Sequence, residues 1–147
     1  MRIRSAAVLL FLLAALSPLF SQAPGIGKLE ITFTDIRNDK GQIAIGINDS
    51  EEGWPRTPLI ERQWPKSTLK DGKLTVVVDK LKFGDYAVSV LDDENMNQEM
   101  DSRLGIPREG YGFSNNPKVK MSAPKYENCK FRIDGPVKKI TIQVRYF

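Results

Sequence analysis

Apolar and polar residues alternate with period two along much of this chain. Leu29, Ile31 and Phe33 interleave with Glu30, Thr32 and Thr34, and Ile43, Ile45 and Ile47 repeat the pattern beyond Asn38-Asp39-Lys40-Gly41. A strand sends successive side chains to opposite faces, so each run predicts a half-buried strand. The turn between them predicts a hairpin, because Asn, Asp and Gly tolerate the positive φ that tight turns need. The β-branched run Leu74-Thr75-Val76-Val77-Val78 and the run Ala87-Val88-Ser89-Val90-Leu91 predict two more strands, joined through a turn over residues 81–86. Residues 126–133 predict another strand before the turn Asp134-Gly135-Pro136. Ile140, Ile142 and Val144, alternating with Thr141, Gln143 and Arg145, predict the last one. No stretch carries convincing helical spacing. The expected fold is mainly β: a single antiparallel β-sandwich of about seven strands with one long ordered loop.

Two segments break the pattern. Residues 48–72 include Trp54-Pro55, Pro58 and Trp64-Pro65. Proline has no N–H for a sheet ladder, which excludes a central strand over residues 51–58. Trp54 and Trp64 are expected either to pack over an open end of the sandwich or, as a pair, to offer a stacking platform for a sugar. The second segment runs from Asp92 to about Lys125, and a connection of that length is normally functional or disordered. Ile106, Tyr111 and Phe113 argue that it folds back and packs, and Tyr111 and Phe113 join the two tryptophans as candidate ligand contacts.

The first residues read as an export signal. Arg2 and Arg4 precede an uninterrupted apolar run over residues 6–16, Ser17-Pro18 breaks it, and Ser21-Gln22-Ala23 offers small residues for cleavage. The expected organisation is a signal peptide at 1–23 and a β-sandwich domain at 24–147, released to the periplasm or the medium. No cysteine follows the apolar run to take a lipid anchor. Loss of Arg2 and Arg4 lowers the formal charge from +4 to +2, so the basic balance does not point to nucleic acid. Cys129 is the only cysteine, which excludes an internal disulfide and leaves a small buried thiol or a reactive one. The chain has no histidine, and with it go Ser-His-Asp and Cys-His catalysis and most zinc sites.

The candidate chemistry lies in the long loop. Asp93, Asn95 and Asn97 recur at alternate positions, with Asp101 four residues on. A tight loop with that spacing can point several oxygens at one centre, as calcium requires, with Glu109 as a further ligand. The same side chains can instead cap their own backbone in successive turns. An acid–base pair for hydrolysis would have to be Asp93 with Glu109 or Asp101.

The run Asp93-Glu94-Asn95-x-Asn97-x-x-x-Asp101, then Gly105-Ile106-Pro107-x-Glu109-Gly110-Tyr111-Gly112-Phe113-Ser114-Asn115-Asn116, resembles a family of secreted bacterial proteins catalogued only as a domain of unknown function. Residues 81–88 are similar to the turn and strand of transthyretin-like sandwiches. The resemblance implies an exported sandwich of immunoglobulin-like or transthyretin-like type, without an assigned activity. The chain departs from the family at Asp92, where histidine is common, and at Gln98, where glycine is common. The expected function is an exported binding or structural module with a calcium-binding loop at 92–101. The alternatives are a carbohydrate-binding module or a carboxylate-dependent hydrolase. The expected partner is a protein or a carbohydrate rather than nucleic acid, for a monomer without a membrane span once the signal is removed.

Overall fold

A computed structural model describes residues 25–120 and 122–147. The export signal predicted at 1–23 lies outside the described residues. The strands are β1 (Ile26–Thr34), β2 (Gln42–Asn48), β3 (Ile60–Pro65), β4 (Leu74–Lys82), β5 (Gly84–Asp93), β6 (Ser102–Arg103), β7 (Ile106–Pro107), β8 (Gly110–Phe113), β9 (Phe131–Ile133) and β10 (Val137–Gln143). They form one sheet of order β10-β1-β4 and a second of order β3-β2-β5-β8, with β9 also on β5; β6 and β7 make a small separate ribbon. The chain is mainly β, and its two large sheets face each other across one core.

Alternation decides which side chains meet there. Leu29, Ile31 and Phe33 of β1, Leu74, Val76 and Val78 of β4, and Ile142 of β10 are buried against Ile43, Ile45 and Ile47 of β2 and Val88 and Val90 of β5. Burying each such side chain stabilises by about 1.5–3 kcal/mol. Among the described residues no helix is long and apolar enough to cross a membrane.

Four expectations need correction. First, β1 and β2 do not form a hairpin: β1 pairs with β4 and β10, and β2 pairs with β3 and β5. Their isoleucine faces meet across the core instead, and residues 35–41 carry the chain between sheets, turning at Gly41 with φ 71°. Second, β1 and β10 run parallel, in register from Lys28–Val137 to Thr34–Gln143, so the sandwich is not wholly antiparallel. Third, residues 126–133 are not one strand. Tyr126–Cys129 is a single helical turn, α1, and only Phe131–Ile133 is extended; Tyr126 and Cys129 are three apart and are buried together in the turn. Fourth, four strands lie in segments read as irregular: β3, the two-residue β6 and β7, and β8. β3 is a mostly exposed edge strand with no apolar alternation, and β8 contains two glycines. Both glycines are required by close approach: a Cβ on Gly110 would stand 2.4 Å from the Tyr146 ring, and one on Gly112 2.7 Å from the Gln143 carbonyl.

A second, smaller core sits outside the main one. Ala87, Tyr126 and Cys129 are buried there, with Trp54 and Phe113 packed against them. Burial pushes the Cys129 thiol up to about 11, so Cys129 is the inert packing thiol rather than the reactive one.

Past β10 the chain is stitched to β8. Tyr111 N–H donates to the Arg145 carbonyl at 3.0 Å, and Arg145 N–H donates back at 2.8 Å. Asn116 extends the seam: its carboxamide donates to the Thr141 carbonyl at 3.0 Å and accepts from Gln143 N–H at 2.7 Å. The seam covers an edge of β10 that would otherwise be open to pairing. It also sets the positions of Tyr146 and Phe147.

Candidate functional site

Two adjacent carboxylates end β5, and the pleat sends them to opposite faces. Asp92 points inward in line with Val88 and Val90. It is fully buried and forms an ion pair with the fully buried ammonium of Lys66. The Tyr146 hydroxyl donates to it at 2.5 Å. Burial first, and then this hydrogen bond, push the Tyr146 phenol well above its usual value, which keeps it a donor. Arg37 closes this end of the core: its guanidinium lies 4.5 Å from the centre of the Tyr146 ring and pairs with Glu94 at 2.6 Å. The hydrogen bond from Arg37 outweighs burial and holds the Glu94 carboxyl below its usual range. Its contribution to stability is therefore complete above the ordinary glutamate value and is lost as pH falls through the lowered one.

Asp93 points outward and organises the acidic loop. One of its oxygens accepts from Asn97 N–H at 3.0 Å; the other accepts from Gln98 N–H at 3.0 Å and the Gln42 carboxamide at 2.8 Å. Buried Glu109 bridges the loop's two ends, accepting from Glu94 N–H at 3.0 Å and Asp101 N–H at 3.2 Å. Asn95 and Asn97 each cap a backbone N–H two residues ahead, at 3.0 and 2.9 Å. Their carboxamides donate to Asp101 at 2.7 and 3.2 Å. The five predicted loop residues, Asp93, Asn95, Asn97, Asp101 and Glu109, are thus brought together, as a cage of caps around the backbone. Among the described residues no group of three or more Asp, Glu or Cys side chains is placed to hold a metal ion. Gln98 has φ 63°, a conformation that glycine adopts without strain.

The loop carries the wall of a cleft. Arg108 N–H donates to the Asp101 carbonyl at 2.8 Å, closing the β6–β7 ribbon onto the caged segment. Met100, Ile106 and Pro107 project from this wall, Tyr111 and Phe113 of β8 line the cleft beside it, and Phe147 stands against Tyr111, ring centres 5.7 Å apart and 25° from parallel. Pro55, Arg56, Val119 and Lys120 also border the cleft, whose volume is about 600 Å³. That is within the range of small-molecule sites, about 300–1,000 Å³.

The aromatic candidates divide. Tyr111 and Phe113 line the cleft. Trp54 lies behind Phe113, ring centres 5.9 Å apart, and its indole N–H donates to the Pro124 carbonyl at 2.8 Å. Trp64 packs against the main core from β3, so it belongs to another part of the molecule. Sequence reasoning missed Lys66, Tyr146 and Phe147. One signal was available for the first two: Asp92 falls on the inward positions of β5, where a carboxylate needs a buried partner.

Two substitutions test this construction. Lys66→Met leaves Asp92 buried without its cation and is expected to cost about 3–5 kcal/mol, while Lys66→Met with Asp92→Leu recovers most of it; denaturant midpoints check both, and a double variant no better than the single would show that the pair is not the cause. Asp93→Ala strands two backbone donors. It is expected to cost about 1–3 kcal/mol and to speed hydrogen exchange at Asn97 and Gln98. Unchanged exchange at those amides would remove Asp93 from the centre of the loop.

No curated protein and no solved structure matches this chain. A family model does match, over residues 31–141, a span that runs from β1 into β10 and holds the whole acidic loop, β8 and most of the cleft. The chain therefore belongs to the bacterial family described as "Uncharacterized protein conserved in bacteria (DUF2141)".

Proposed function

We propose that this chain is an exported binding module that takes an apolar ligand in the aromatic cleft, with the acidic loop as the scaffold of one wall. The cleft itself carries the reading. Ile106 is 56% exposed and Phe147 70% exposed, and both border one concave space together with half-buried Tyr111 and Phe113. Exposed apolar surface gathered in one concavity marks a place where something else is bound. Export is supported by the charged start, apolar run and small residues of the first 23 positions.

The cleft favours an apolar ligand over a sugar, since its polar side chains are few: Arg56, Lys120, Ser122 and the Tyr111 hydroxyl. A hydrolase is less well supported. Asp93 and Glu109 engage both oxygens with backbone N–H groups, and Asp101 engages both with the Asn95 and Asn97 carboxamides.

A neutral fluorescent reporter such as N-phenyl-naphthylamine is expected to bind with a rise in emission. Ile106→Glu and Phe147→Ala, both at exposed positions, should weaken it several-fold without changing the melting temperature. Wild-type protein that leaves the reporter dark, or variants that bind it equally well, would end this reading. A glycan panel followed by Trp54 emission is the matching test for a sugar, because Trp54 packs on Phe113.

Calcium at the loop is a second reading, favoured by one observation: Asp101 already has the Asn95 and Asn97 carboxamides turned toward it. Rotating both carboxamides would present two carbonyl oxygens to the same point, at the loss of the caps on Asn97 and Glu99. In this reading millimolar calcium raises the melting temperature over chelator, and Asp101→Ala abolishes the rise. Coincident melting curves would leave the loop held by its own hydrogen bonds.

A further inference from the structure

The charged groups around the cleft narrow the ligand class, given the binding reading above. Arg56 and Lys120 are the charged side chains that line the cleft, and no Asp or Glu joins them. Both are exposed, and neither has an ion-pair or hydrogen-bond partner among the described residues. The acidic loop beside the cleft contributes apolar Met100 to it, while Asp93, Asp101 and Glu109 are bonded back into the loop. The cleft thus combines an apolar, aromatic interior with two cationic side chains and no Asp or Glu side chain in its lining.

We infer that the ligand is an amphipathic monocarboxylate, a free acyl-chain acid whose apolar body lies along Ile106, Tyr111, Phe113 and Phe147 and whose carboxylate is met by Arg56 and Lys120. The guanidinium fork matches a carboxylate with two parallel N–H donors, and the lysine adds a mobile point charge. A neutral molecule of the same shape would leave both cations unused. A cleft of this volume suits a single small ligand rather than a folded partner.

The test is displacement of the neutral reporter by dodecanoate and by its methyl ester, both below their aggregation concentrations, at low and high salt. Dodecanoate is expected to compete about tenfold better than the ester, as a charge-assisted hydrogen bond of roughly 1.5 kcal/mol implies. Salt should narrow the gap. Arg56→Gln with Lys120→Gln, both at exposed positions, should abolish the preference. Equal displacement by acid and ester overturns the carboxylate inference and leaves the apolar cleft standing; so does a preference that survives in the double variant. Failure of the reporter to bind removes the cleft reading and this inference together. Sedimentation with vesicles containing anionic phospholipid, without competition by dodecanoate, would assign the two cations to a membrane surface and overturn the free acid.

Discussion

Two neighbouring carboxylates buried on opposite faces of one strand are the constraint on which this molecule is built. A fully buried charge is tolerated only where it is paired or richly hydrogen-bonded. Asp92 and Asp93 meet that requirement in different ways. The inward one has Lys66 and Tyr146, which fixes where the 3₁₀ turn after β3 and the residues after β10 must sit. The outward one has backbone N–H groups and Gln42, which fixes where the loop must sit. The core end and the cleft wall are therefore attached to the same two peptide units.

The attachment explains why a polar loop can hold an apolar surface in place. Met100 and Ile106 have little local reason to stay at the mouth of a cleft. They are held there because residues 93–109 form a closed hydrogen-bonded unit, with Glu109 joining its ends. Phe147 is held from the other side, by the seam between β8 and the residues after β10. Both walls are held by bonds and contacts within the chain itself, so the binding proposed for the cleft would require little ordering.

Much of the fold was legible because period two is a strong signal wherever one strand face is apolar. β1, β2, β4, β5 and the residues of β10 around Ile140 and Ile142 were all visible in that way. Alternation tells which side chains point inward but says nothing about which strand lies alongside. The pairing of β1 with β10, and the divorce of β1 from β2, were therefore not readable. β8 was hidden because Gly110 and Gly112 look like loop residues until Tyr146 and Gln143 are seen pressed against them. The caps of the acidic loop were legible, since Asp and Asn at alternate positions bond locally by their own chemistry. The cleft was not, because Pro55, Ile106, Tyr111 and Phe147 are brought together only by the tertiary fold.

The parallel pairing of β1 with β10 has a consequence for how the molecule comes into being. β1 lies at the middle of its sheet, yet Lys28 is matched with Val137 and Phe33 with Ile142. While the chain is being synthesised, one edge of β1 has no neighbour until residues 137–143, more than a hundred positions later, have emerged. Pairing across so long a stretch of chain is slow, because the ends of a large loop must be brought together before any contact forms. A growing chain thus leaves Ile31 and Phe33 incompletely covered until residues 137–143 arrive. The residues directly after β10 bring Tyr146 to Asp92 and Phe147 to Tyr111, so completion of the sandwich and completion of the cleft are one event.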